Sequence, residues 1–414
     1  MTERLPIAAT TASDDARRIV AAWAEESVPE TWRTAAAEGG PKAVRLVRSR
    51  DAYEAWYPVY AASGLVVPTW PVAYGGLDLP LALARAIDVE LRDLNLGRLN
   101  PLGLNLVAPA LFTYGTEEQR ARRLPAIVEN REVWCQLFSE PGAGSDLASL
   151  ATRATRDGDE WVLEGQKVWT TWAQYATHGI VLTRTDPAVP KRRGITYLML
   201  DMHQPGVDVR PLRGMHGEAE FNEVFLNGAR ALDSDRVGAV GEGWKVANAT
   251  LSGERQMVSG GGSGGVDKIG GAGIAHLLSL YRDGAARDAN IRDDLARLYS
   301  DSRVREWTNL RIRANARAGR PLGPESSIGK IHQGHLNQEM QLVATRLLGA
   351  DALAWEGDGF DAAPFEVTGM LRSRANTIEG GTTEVNKNVV GERTLGLPRE
   401  PDPWRDAPWS EVPR

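Results

Sequence analysis

The residues best suited to chemistry gather in three short runs. In CQLFSEPGAGSDLASL (135–150), Gly142 and Gly144 stand between Ser139 and Ser145. Glycine has no Cβ, so the backbone there can approach a flat or phosphorylated ligand closely. The same run also reads as a polar loop entering a β-domain. In GQKVWTTW (165–172), Trp169 and Thr171 are two apart, which on a strand places them on one face. Such a pair can stack on a ring and hydrogen-bond its edge, or simply fill a core. In NTIEGGTTEVNKNVVGERTLGLPRE (376–400), Thr377, Thr382 and Thr383 surround Gly380-Gly381 ahead of a helix-like stretch. Backbone N–H groups at a helix N-terminus can face an anionic ligand.

Composition narrows the alternatives. The 414 residues carry 48 basic and 54 acidic side chains, a net charge of −6, with no long basic run. That argues against nucleic acid as a partner. Cys135 is the single cysteine, which excludes an internal disulfide and any multi-cysteine zinc site. The six histidines are scattered; His332 and His335, the two close together, read as helix surface, so no metal site is expected. Apolar runs such as Leu65-Val66-Val67 fall far short of the ~20 residues needed to span a bilayer. The N-terminus lacks a basic region followed by an apolar one, so no signal peptide and no membrane association are expected, and a cytoplasmic location is. The glycine-rich run SGGGSGGVDKIGGAG (259–273) contains no Gly-Lys-Ser/Thr, and no G-x-G-x-x-G follows a strand. That run reads as a linker or a tightly packed turn.

The elements that would hold these runs come in three regions. Residues 1–130 read as helical: DAYEAWYPVYAASG (51–64) closes on Gly64, PLALARAIDVELRDL (80–94) opens with proline, and TEEQRARRLPAIVEN (116–130) has Thr116 as an N-cap. Over 131–240 the period changes. Two alternating runs flank Asp157-Gly158, a hairpin signal, and short strands follow at 178–185, 195–201, 207–212 and 223–227. Over 241–398 the helical period returns, with Ile291, Leu295, Leu298, Trp307 and Leu310 in one segment and Leu336, Met340, Val343 and Leu347 in another. Residues 399–414 read as an extended tail. The whole is an α+β protein of distinct modules.

Taken in order and spacing, SEPGAGSDL, GQKVWTT, PTWPVAYGG (68–76) and GGTTEVNKNVVGERTLGLPRE resemble the acyl-CoA dehydrogenase family over about residues 45–397. The resemblance implies an N-terminal helical domain, a central β-barrel and a C-terminal four-helix bundle, assembled as a tetramer of two dimers. It also implies FAD, an acyl-CoA thioester substrate and an electron-transfer flavoprotein as electron acceptor. By the same resemblance, Gln136, Phe138 and Ser139 line the flavin ring, Trp169 packs on it and Thr171 bonds its edge. Ser145 matches a contact to CoA, and Thr382 and Glu384 match a pair that touches the FAD phosphates or adenosine.

The implied reaction takes a proton from Cα of the thioester and a hydride from Cβ to flavin N5. It needs a carboxylate near Cα and donors on the carbonyl, where enolate charge develops. Many relatives carry the base as a glutamate directly before the Gly-Thr of the C-terminal motif. Here that position is Gly380, and Glu379 lies one residue too early, leaving it as a reserve candidate. The isovaleryl- and long-chain-type branches carry the base on a bundle helix before an arginine. LSGERQMVSGG (251–261) matches that segment and makes Glu254 the expected base, with Arg255 near the substrate and the Gly380 N–H, together with a flavin ribityl hydroxyl, polarising the carbonyl. An apolar pocket would raise the pKa of Glu254 toward its working range. This placement suits branched or bulky acyl chains.

Two motifs depart from the family. Where Arg-x-x-Phe-Gly belongs, LYRDGAARDANIR (280–292) keeps Arg282 and Gly284 without Phe-Gly; where Gln-x-x-Gly-Gly belongs, 346–350 reads RLLGA. Both normally complete the FAD site of a neighbouring subunit. The pattern resembles the α-type subunits of heteromeric actinobacterial enzymes of steroid side-chain breakdown and implies a homologous partner chain. A homo-oligomer using Arg282 and Arg346 as substitutes is the alternative, as are an oxygen-using oxidase or monooxygenase and a non-catalytic subunit.

Overall fold

Apolar residues recur at helical spacing, then at strand spacing, then at helical spacing again, and the chain folds accordingly. The computed structural model describes residues 4–258, 271–284, 288–318, 326–355, 357 and 362–413; the side chains of 252–258, Arg313, Ala316, Arg317 and Ser326 lie outside that description. The chain divides into two compact units, residues 1–135 with 175–179 and 201–203, and residues 136–174, 180–200 and 204–414.

The first unit is built from α1 (Ser13–Ser27), α2 (Glu30–Val47), α3 (Arg50–Ala62), α4 (Leu81–Asp88), α5 (Ala108–Tyr114) and α6 (Glu117–Val128). Helix α2 breaks at Gly40, whose φ of +63° precedes Pro41. Helix α3 starts where the Ser49 hydroxyl accepts the Ala52 N–H, and the chain turns away at Gly64, with φ +82°. Helix α6 carries a full capping box between Thr116 and Gln119. Part of the core is aromatic: Trp23, Trp32, Tyr53, Trp56, Tyr57 and Tyr60 meet in stacked, tilted and edge-on pairs 5.4–6.2 Å apart. Burial pushes the Tyr57 phenol up to about 12, so this cluster stays uncharged.

The second unit holds the sheet and the C-terminal helices. Strands β1 (Trp134–Leu137), β2 (Arg153–Asp157), β3 (Glu160–Lys167), β4 (His178–Arg184), β5 (Ile195–Asp201), β6 (Val207–Leu212), β7 (Phe221–Leu232) and β8 (Arg236–Val237) realise the central β-domain. Their order is β6-β7-β3-β2-β4-β5-β8, with β1 beside β4. The β2–β3 hairpin pairs Asp157 with Glu160, and Gly158 supplies φ +62° at the first of its two turn residues. In β5, Ile195 through Leu200 are all buried, the mark of a strand covered on both faces.

The C-terminal helices are α7 (Gly243–Val258), α8 (Ile274–Asp283), α9 (Ala289–Arg317), α10 (Ser326–Leu348), α11 (Phe365–Ser373) and α12 (Thr383–Arg393). Leu336, Met340 and Val343 pack with Ile291, Leu295 and Leu298, and Leu347 joins at the edge of this core. Trp307 and Leu310 do not join it. They are exposed on the second half of α9, which at 29 residues extends about 44 Å and outruns α10 at about 35 Å. Of the glycine-rich run 259–273, residues 259–270 lie outside the described residues. Its end is a packed turn: Gln341 accepts the Ala272 N–H (2.8 Å) and donates to the Ala272 carbonyl (2.9 Å). Residues 399–413 return to the loop between β4 and β5, where buried Trp409 donates its backbone N–H to the Val189 carbonyl. Among the described residues no helix is long and apolar enough to cross a membrane.

Candidate active site

The first glycine-bearing run is pinned at its base by a buried ion pair. Lys167, the last residue of β3, places Nζ 2.8 Å from Glu140 Oε1 and donates to the Phe138 (3.1 Å) and Leu182 (2.8 Å) carbonyls. Glu140 also accepts the N–H groups of Ala151 (2.7 Å) and Thr152 (2.9 Å). Burial works against its charge, but Lys167 and these donors outweigh it and hold the carboxyl below its ordinary range. Anchored there, the loop lifts Gly142, Gly144 and Ser145 to the surface, and a Cβ at either glycine would meet nothing within 4 Å. Its far end is held by Arg184, whose guanidinium donates to the Ala148 (2.7 Å), Leu150 (3.2 Å) and Lys191 (2.5 Å) carbonyls and lies 4.7 Å from the Trp409 ring.

Trp169 and Thr171 do not share a strand face. Strand β3 ends at Lys167, paired with Val224, and the next backbone bond joins the Thr170 N–H to the Asn222 carbonyl at 3.1 Å. Three steps on one side against two on the other make a bulge, and Trp169 absorbs it with φ +60°. A bulky residue in that region is uncommon and persists only where its surroundings enforce it. Buried Asn222 does so, donating Nδ2 to the Thr170 carbonyl (2.9 Å) and to Gln174 Oε1 (2.5 Å). The outcome is a tryptophan 62% exposed, edge-on to Phe221 at 5.9 Å. Ser139 joins the same corner because its carbonyl accepts the Val168 N–H at 2.9 Å. Gln136 is half-buried on β1, while the Phe138 ring is buried edge-on to Tyr197.

At the third run, the Thr382 hydroxyl accepts the Val385 N–H (3.2 Å) and starts α12. Gly380 and Gly381 take φ values of +62° and +85°, which side chains resist. Glu384 is exposed in the first helical turn. Glu379, by contrast, is engaged: Arg372 Nη2 lies 3.0 Å from its Oε2, and Asn376 Nδ2 donates to its Oε1 at 2.9 Å. Glu254 and Arg255 fall within α7, but their side chains lie outside the described residues.

These surfaces suit a flavin nucleotide. An aromatic ring forced into solvent offers a stacking face, the open glycines leave room for close backbone approach, and a capped helix start with two glycines before it presents N–H groups to phosphate.

Family models agree along most of the chain: the N-terminal domain of acyl-CoA dehydrogenase matches residues 16–131, the middle domain 135–228 and the C-terminal domain 241–395. This chain belongs to the acyl-CoA dehydrogenase family. It is 36% identical over 402 residues to the acyl-CoA dehydrogenase IpdE1 of Mycobacterium tuberculosis, covering 94% of this chain and 98% of that protein. Among solved structures it resembles the Tcur3481-Tcur3483 steroid ACAD, with a TM-score of 0.71, 26% identity and coverage of 94% and 98%. It also resembles the ChsE4-ChsE5 complex from Mycobacterium tuberculosis, with a TM-score of 0.67, 26% identity and coverage of 95% and 99%.

Sequence reasoning missed three groups in this acyl-CoA dehydrogenase. Glu140 and Lys167 are separated by 27 positions and Asn222 and Thr170 by 52, distances at which no local period signals a pair. The third is Arg372 between Glu379, seven positions on, and Glu220, so far back along the chain that no local pattern links them.

Proposed function

We propose that this chain oxidises the Cα–Cβ bond of an acyl-CoA thioester, with Glu254 as the base that takes the α-proton. When bound, FAD supplies the two-electron acceptor for the β-hydride. Trp169, Thr171, Gln136 and Ser139 would hold its ring, with buried Phe138 supporting that corner from beneath, and Thr382 and Glu384 its phosphate or adenosine portion. Ser145 and Arg255 would hold the CoA thioester. The Gly380 N–H, on a backbone that its positive φ reserves for glycine, would polarise the thioester carbonyl and stabilise the enolate charge. The reduced enzyme would pass its electrons to an electron-transfer flavoprotein.

The observation that carries this reading is the exposed Trp169 held in a left-handed bulge by Asn222, a costly arrangement that packing alone does not require. Support for Glu254 over Glu379 comes from the engagement of Glu379. Glu379 is tied to Arg372 and Asn376 and so is poorly placed to collect a proton.

The assembly we favour is heteromeric. Arg346, which stands where the family carries the glutamine of Gln-x-x-Gly-Gly, is paired with Asp294 of its own chain at 2.5 Å. Arg346 is thus engaged within its own chain, and both solved relatives named above carry the names of two components. Anaerobic addition of acyl-CoA thioesters, from straight-chain to ring-bearing, to the purified FAD-loaded assembly tests the function. Bleaching of the visible flavin band with formation of the enoyl-CoA supports it; a flavin that no acyl-CoA reduces refutes it.

A further inference from the structure

One guanidinium ties the two halves of the site together. Arg372, on α11, places Nε 2.5 Å from Glu220 Oε1 and Nη2 3.0 Å from Glu379 Oε2. Glu220 belongs to the sheet side: its carbonyl accepts the Trp172 N–H at 2.8 Å, and it directly precedes Phe221, the ring that Trp169 meets edge-on. The Arg372 guanidinium also lies 5.6 Å from the Phe221 ring centre. Glu379 belongs to the helical side and directly precedes Gly380. It is held a second time by Asn376 Nδ2 at 2.9 Å, and Asn376 is itself buried and fixed by Asn337 (2.6 Å) and by Lys330, which donates to its carbonyl.

We infer that Arg372 is a positioning residue that sets the Gly380 N–H against the Trp169 corner, and that it does so through Glu379 on one side and Glu220 on the other. The inference rests on the reading of Gly380 as the carbonyl donor. A planar guanidinium that hydrogen-bonds the Glu379 carboxylate through both terminal nitrogens and ion-pairs with Glu220 through Nε fixes distance and orientation more tightly than an ammonium, which acts as a point charge. All three side chains are largely buried, so the links are less screened than surface pairs. The chain places this arginine where two separately built loops must agree in position, one set by a β-bulge and the other by two glycines with positive φ.

The test uses the FAD-loaded protein in its native assembly, with Arg372→Met, Arg372→Lys, Glu379→Gln and the double variant Arg372→Met/Glu379→Gln. The probe is 4-dimethylaminocinnamoyl-CoA, whose absorption band moves to the red as its thioester carbonyl is polarised. The native protein is expected to shift the band strongly. Arg372→Met is expected to bind the probe and FAD within a few-fold of native, to lose most of the shift, and to lower kcat about tenfold with KM little changed. Arg372→Lys should recover part of the shift, and the double variant should be no worse than either single change. A full shift and native kcat in Arg372→Met would overturn the inference. No shift in the native protein would overturn the role of the Gly380 N–H and the inference with it, while flavin bleaching by saturated acyl-CoA would still stand as evidence for the dehydrogenase.

Discussion

Glu140 and Lys167 form an ion pair in which the lysine side chain is 0% exposed and the glutamate 8%, with 2.8 Å between Nζ and Oε1. Removing one partner strands a buried charge, which costs about 3–5 kcal/mol. Lys167→Met and Glu140→Gln should each lower the melting temperature sharply, and the double variant should regain much of the loss. Thermal melting of the three variants beside the native protein checks this.

The same pair gives a pH dependence. The folded carboxyl of Glu140 is held below its unfolded value of about 4.3. Its contribution to stability is therefore present above that pH and lost as pH falls through the lower folded value. The native protein should lose stability over this acid range more steeply than the double variant, as melting curves recorded at stepped pH would show.

Asn222→Leu keeps the volume near the bulge but leaves the Thr170 carbonyl without its donor, at about 1–3 kcal/mol. Because that bond forces Trp169 into its left-handed conformation, the expected result is weakened FAD retention on gel filtration, beyond what the loss of stability explains. FAD held as tightly as in the native protein would show that the bulge does not serve the cofactor.

The contrast between the hairpin and the bulge shows where the sequence is legible. The hairpin at 157–160, the capped helix at Thr116 and the stripe Leu336-Met340-Val343 rest on local rules of turn chemistry, capping and period, and the structure has each of them. Trp169 departs from the expected strand face because alternation stops at Lys167, and nothing local announces a bulge enforced by an asparagine 53 positions later. Trp307 and Leu310 fit the helical period but not the core, since period shows which residues align and not how far a neighbouring helix reaches.

Trp409 covers the Arg184 guanidinium at 4.7 Å and donates to the Ser149 carbonyl at 3.3 Å. Trp409→Ala should free the tail, exposing it to limited proteolysis near residues 399–405, and should loosen the loop bearing Ser145. A rise in KM for acyl-CoA with kcat nearly unchanged is expected; cleavage and KM both at native levels would contradict it.

We propose Glu254 as the group that removes the α-proton. Rapid mixing of Glu254→Gln with acyl-CoA under anaerobic conditions measures it directly, as the first-turnover rate of flavin bleaching. A positioned base contributes about 10²–10⁴-fold, so the rate should fall at least about a hundredfold with FAD content and acyl-CoA affinity near native. Bleaching at the native rate would place the base elsewhere and contradict the account.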